Sequence, residues 1–291
     1  MRSVFNATLA ALLGAALWLA PAAHAAPLGS VGLAKARQAF APELAANAFG
    51  EPLLVRSVEG PHQVAGHAYA VLDLPFAQVS QLLADRAQWC AMLMLHLNNK
   101  YCREGGPGGV PHIELYVGRK SEQPVRSATR LNFAWVTAVA RADYAVAELA
   151  APDGPYDTRD YALVVEAIPG EGGRTFLHMG YSFSYGGASH LAMHFYLATV
   201  GRDKVGFSVE RESPGAEPRP VGGMRGVAER NVMRYLLALR CHAVAPASAL
   251  EDRLACWFDA TERYARQLHE VERADYVAMK RAEYRRLAET P

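Results

Sequence analysis

Several motifs are missing from this chain, and each absence removes a chemistry. No G-x-S-x-G stretch occurs, so the nucleophile elbow of the serine hydrolases is excluded. No two cysteines stand in C-x-x-C spacing, which argues against a structural zinc site. The glycine-rich loop from Gly105 to Gly109 lacks the Lys-Ser/Thr ending of a phosphate-binding loop and reads as a flexible connection. Beyond residue 25 no apolar run approaches the roughly 20 residues that cross a bilayer core. Net charge is also lacking: 30 basic residues face 29 acidic ones. A chain this close to neutral has no broad basic field for nucleic acid or anionic lipid surfaces.

What is present begins with an export signal. Arg2 is the only charged residue before Lys35. Residues 7–20 are apolar, Pro21 breaks the run, and Ala23-His24-Ala25 supplies a small-x-small cleavage pattern. Residues 1–25 are therefore expected to be a signal peptide, and the mature chain to start near Ala26 as a soluble periplasmic or secreted protein. Loss of Arg2 leaves 29 basic and 29 acidic residues. The four cysteines fit an oxidising compartment. Of three pairings, spacing favours Cys90 with Cys102 and Cys241 with Cys256, each closing a short loop worth about 3 kcal/mol.

Residues 26–58 read as a helical leader, with Pro42 interrupting a helix over 33–48. A strand is predicted over 63–72. Leu74-Pro75-Phe76 then opens a helix with an apolar face of Phe76, Val79, Leu82 and Leu83. A second helical stretch holds Trp89, Met92, Leu93 and Leu95. Strands follow over 112–118, 126–136, 142–150, 160–168 and 174–185. Alternation puts Leu131, Phe133 and Trp135 on one face, and Leu177, Met179, Tyr181, Phe183 and Tyr185 on another. A short helix is expected over 188–199 and a strand over 204–210 with Val205, Phe207 and Val209 together. A long helix runs over 221–242, with Met224, Val227, Asn231, Tyr235 and Ala238 along one stripe. Arg225 and Glu229 are expected to pair on its outer side. Ser248 and Glu251 form a capping-box pattern for a last helix. Its seam of Leu250, Leu254, Trp257, Thr261, Tyr264, Leu268 and Val271 packs on the body or on a partner helix. Beyond Glu272 the helix is expected to project into solvent.

Few residues suggest catalysis. His190 and His194 have metal-ligand spacing, but Leu191 replaces the Glu of H-E-x-x-H and no third ligand is evident. They read as ordinary histidines, and no metal or cofactor is assigned. His178 lies opposite in phase to Met179 and Tyr181. It reads as a hydrogen-bonded or exposed histidine, with a general base in a pocket as the functional alternative. Asn231 on an apolar stripe needs a partner if buried; a backbone bond or the polar end of a ligand would serve.

A strand, two helical segments, about six strands and a long amphipathic helix: this order resembles the START-like lipid-transfer and polyketide-cyclase superfamily. The resemblance covers roughly Glu59 to Ala243 and rests on the strand at 63–72, the Leu74-Pro75-Phe76 helix start and the helix at 221–242. It implies an α+β helix-grip fold, a curled antiparallel sheet around the long helix, here extended by a further C-terminal helix. The expected organisation is a domain over 59–245 and a helical extension over 246–291. The fold implies a cavity between sheet and helix for a lipid or other apolar molecule, and no catalytic residue is assigned. Trp135, Tyr181, Phe183, Phe207, Met224, Asn231 and Tyr235 are the expected lining. The alternatives are a cyclase- or hydrolase-type enzyme on the same fold, or an envelope interaction module using 248–271.

Overall fold

The computed structural model describes residues 23–105, 111–187, 204–211, 213, 215–244 and 249–289. Its centre is an eight-stranded antiparallel sheet. The strands are β1 Leu53–Glu59, β2 Gln63–Leu72, β3 Asn99–Gly105, β4 His112–Val117, β5 Thr129–Ala140, β6 Ala145–Asp153, β7 Thr158–Pro169 and β8 Thr175–Tyr185. Their order in space is β1-β2-β8-β7-β6-β5-β4-β3. Two helices, α3 Phe76–Ala84 and α4 Arg86–Leu93, lead the chain from β2 to the far edge at β3. The remaining strands return by hairpins until β8 pairs with β2.

Alternation sorts each strand into two faces. Ala68, Leu149, Val165 and Met179 enter one core, which the long helix α5 Gly223–Val244 covers together with α3 and α4. Tyr69, Val146, Val164 and Phe176 enter a second core on the opposite face. There α1 Gly29–Ala39 and α2 Ala41–Ala45 insert Leu33 and Leu44. With both faces covered, all 11 residues of β8 are buried. The fold is α+β of the helix-grip type, a sheet holding a long C-terminal helix.

Close approach of helix and sheet depends on Gly66. A Cβ there would lie 2.6 Å from the carbonyl oxygen of Ala228, so no larger residue fits without displacing α5. Glu229, expected on the outer side of α5 with Arg225, is instead fully buried. It accepts bonds from Ser57 Oγ at 2.6 Å and from the backbone N–H of Phe207 at 2.6 Å and of Ser208 at 2.9 Å. Arg225 pairs with Glu210 and donates to Ser57 Oγ. A buried carboxylate is tolerated only with such donors, and these come from β1 and the 205–208 segment rather than from the helix itself.

The C-terminal part forms α6 Leu250–Glu262, α7 Ala265–Leu268 and α8 Arg273–Glu289. Leu254, Trp257, Thr261 and Leu268 are buried against the body, so this part of the seam packs on the chain itself. The segment beyond Glu272 does not project into solvent. Tyr276, Met279, Lys280 and Glu283 are buried, and Glu283 lies 3.1 Å from Lys100 of β3 and 2.7 Å from Lys280. Lys280 also donates to the carbonyls of His96 and Asn99 at 2.8 Å. This charge cluster faces inward among otherwise charged positions, which is why composition alone suggested a solvated helix.

Cys90 joins Cys102 across 5.4 Å between Cα atoms, tying α4 to β3, and Cys241 joins Cys256 across 5.8 Å, tying α5 to α6. The leader region contributes the edge strand β1, and β3 occupies a stretch for which the sequence predicted no element. The strand expected over 204–210 reduces to β9 Val209–Glu210 paired with β10 Arg219–Pro220. The helix expected over 188–199, with His190 and His194, lies outside the described residues, as do residues 1–22 of the expected signal peptide. Among the described residues no helix is long and apolar enough to cross a membrane.

Candidate ligand cavity

Away from Gly66, α5 stands off the sheet and leaves a cavity of 620 Å³. One wall comes from β7 and β8. Tyr161, Tyr181 and Phe183 form a ring cluster with centroids 5.5–6.1 Å apart. Leu131 and Phe133 of β5 continue it. The facing wall is one stripe of α5, with Met224, Val227, Asn231 and Tyr235. Burial pushes the phenol of Tyr235 up to about 12 and that of Tyr161 to about 12, and raises Tyr181 well above its ordinary value. These hydroxyls stay protonated and are hydrogen-bond donors, not bases, at neutral pH.

Five expected lining residues thus reach the cavity: Tyr181, Phe183, Met224, Asn231 and Tyr235. Two do not. Trp135 shares the strand face of Leu131 and Phe133, but α4 closes that end, and the Trp89 ring packs edge-on against Trp135 at 5.2 Å. Phe207 packs between Phe49 at 5.8 Å and Tyr264 at 5.6 Å, outside the cavity lining.

The charged lining, unlike Asn231, escaped the sequence reading. Arg230 and Arg234 flank Asn231 and Tyr235 on α5, while Arg119, Lys120, Lys204 and Glu270 arrive from three distant segments. Glu270 lies 2.7 Å from Lys120, 2.7 Å from Arg234 and 3.8 Å from Lys204. Burial alone would raise its carboxyl, but Arg234, Lys120 and Lys204 outweigh that and hold it below the ordinary range. His96 is buried and stacks on Tyr235 at 4.7 Å. Burial first, and then Arg234, Lys280, Lys100 and Lys120, hold its imidazole well below its ordinary value, so it is neutral. Its Nδ1 accepts the N–H of Asn98 at 3.2 Å, which assigns the proton to Nε2. That Nε2–H has no partner among the described residues.

His178 does have an acidic partner, but on the other face of the sheet. Its Nδ1 lies 2.8 Å from Glu166 and its Nε2 3.0 Å from Nδ1 of His67. Glu166 also accepts from Tyr144 Oη at 2.8 Å and from the N–H groups of Leu28 at 2.8 Å and Gly29 at 3.1 Å. Ala25 beside it is fully buried and donates to Ser182 Oγ at 2.9 Å. The group therefore fastens the N-terminal segment to the sheet and does not open on the cavity. Among the described residues no cluster of His, Cys, Asp and Glu could hold a metal ion.

No family model matches the sequence, and no curated protein matches it. Solved structures are similar to it at a low level only. A protein from Thermus thermophilus is 11% identical with a TM-score of 0.37, over 62% of this chain and 98% of that one. A point mutant of norcoclaurine synthase from Thalictrum flavum, in complex with a transition-state analogue, is 10% identical with a TM-score of 0.34, over 52% and 87%. A conserved protein of unknown function from Enterococcus faecalis is 9% identical with a TM-score of 0.32, over 82% and 92%. The fold class rests on the sheet order and helix placement described above, and the function on the cavity.

Proposed function

We propose that this protein is a START-like binding protein that holds a lipid or other apolar small molecule between the sheet and α5, and carries or presents it outside the cytoplasm. The observation that carries this reading is the 620 Å³ cavity with a continuous aromatic wall. Its size is that of a site for one drug-sized molecule. Binding is driven by burial of apolar ligand surface, at about 25 cal/mol per Å² before the costs of association. Two disulfides support an oxidising compartment, and the apolar leader supports export. The Glu166–His178 pair, which the sequence offers for the enzyme reading, faces away from the cavity. Native mass spectrometry of the purified protein, with uptake of fluorescent single-chain lipids, tests the proposal. A one-to-one apolar adduct or saturable uptake is expected. Absence of both would refute it.

A further inference from the structure

A buried polar atom without a partner is unusual in a folded protein, because its desolvation goes uncompensated. Two such atoms belong to residues that line the cavity, His96 and Asn99. Both residues are buried, at 2% and 0% exposure. Nδ1 of His96 accepts the N–H of Asn98, so Nε2 carries the proton, and this donor has no acceptor among the described residues. Burial keeps the imidazole neutral, so the donor is uncharged. Nδ2 of Asn99 donates to the carbonyl of Leu93 at 2.7 Å, so Oδ1 is an acceptor, and it has no donor among the described residues. Tyr235 links the two: the His96 ring stacks on it at 4.7 Å, and the Asn99 amide acts on its phenol.

The surrounding bonds fix this pair. The buried ammonium of Lys280 donates to the backbone carbonyls of both residues at 2.8 Å. Lys100 Nζ donates to the carbonyl of Leu97 between them at 2.8 Å, and the Cys90–Cys102 disulfide closes the segment. Groups held this way need little ordering when a ligand binds.

Resting on the cavity reading, we propose that the apolar ligand carries a hydroxyl group, whose oxygen accepts the Nε2–H of His96 and whose proton goes to Oδ1 of Asn99, while its apolar body lies against Tyr181 and Phe183. A hydroxyl is a neutral group that supplies one donor and an acceptor together. A hydrocarbon would leave both protein atoms unpaired. An ether or ester would answer His96 alone, and a carboxylate would set oxygen against the oxygen of Asn99.

The test is displacement of Nile red from the wild-type protein by two isomers, 1-decanol and methyl nonyl ether. Apolar burial alone favours the ether, the less polar of the two. The alcohol is instead expected to displace the probe at a concentration at least about tenfold lower, because the ether leaves a buried acceptor unpaired. In His96→Phe, which keeps a ring against Tyr235 but has no donor, this preference should shrink. The readout is a ratio of isomers, so a general loosening of the cavity cancels. Equal displacement by the two isomers, or a stronger ether, overturns the hydroxyl inference and leaves the cavity reading standing. An unchanged preference in folded His96→Phe also overturns it. If Nile red itself does not bind, the cavity reading falls and takes the inference with it. The wild-type ratio decides the matter even if the variant does not fold.

Discussion

Glu166→Gln removes the centre of the buried polar group beneath the N-terminal segment while conserving volume. Four donors meet this carboxylate: Leu28 N–H, Gly29 N–H, Tyr144 Oη and His178 Nδ1, all within 3.1 Å. Glutamine keeps one acceptor oxygen and turns the other position into a donor, which leaves two of these donors facing an N–H. Bonds to a charged group contribute about 1.5–3 kcal/mol each, so the loss is about 3–5 kcal/mol, the size of a broken buried pair. Against a total stability of roughly 5–15 kcal/mol, the variant folds with a small margin. Urea unfolding should show the loss, and limited proteolysis should release residues preceding β1 before the sheet is cut. Probe binding should persist under conditions where the variant is folded, because the cavity lies on the opposite face. A loss below about 1 kcal/mol, or a folded variant that no longer binds probe, would refute this placement of the cluster.

Three further outcomes are expected. Replacing Cys90 and Cys102, or Cys241 and Cys256, with serine should each cost about 3 kcal/mol in urea unfolding, and the native protein should show no free thiol in a non-reducing labelling assay. Stability should fall on acidification from about pH 6.5 toward 4. His242 is held at about 4 by burial and Arg253, and His96 lies well below its ordinary value, so the unfolded chain takes up protons that the folded one refuses. Equal urea midpoints at pH 7 and 5 would contradict this. Edman sequencing of the protein recovered after the proposed export should begin at Ala23 rather than Ala26. Cleavage after Ala25 removes a buried residue bonded to Ser182, whereas Ala20-Pro21-Ala22 offers a second small-x-small pattern that keeps it.

Much of the fold was legible where one face of an element is apolar. The strand expected over 63–72 coincides with β2, and the helix over 221–242 with α5 to within two residues at each end. Two edge strands were not legible. In β1, Leu53-Leu54-Val55 follows an alanine-rich stretch that masks it, and β3 reads Asn-Lys-Tyr-Cys-Arg-Glu-Gly, too polar to signal a strand. The phase of His178 against Tyr181 was readable, but not that residues 25–29 would return to cover it. Phase also put Trp135 with Phe133. It could not show that Trp89 would fill that end. The cations around Glu270 come from segments more than 80 residues apart in places, as between Lys120 and Lys204, so no local spacing announces them. A helix face with Arg230 and Arg234 beside Asn231 and Tyr235 was the only available sign.

The proposed apolar ligand site is the space between the sheet and α5. Leu131 lines that space and is buried on β5, so Leu131→Trp fills it from within. Titration of Nile red into the wild-type chain and into folded Leu131→Trp is the most direct measurement. One site per wild-type chain is predicted, weakened at least about tenfold in the variant, the effect of about 1.4 kcal/mol. Equal binding by both would place the ligand elsewhere and contradict the account.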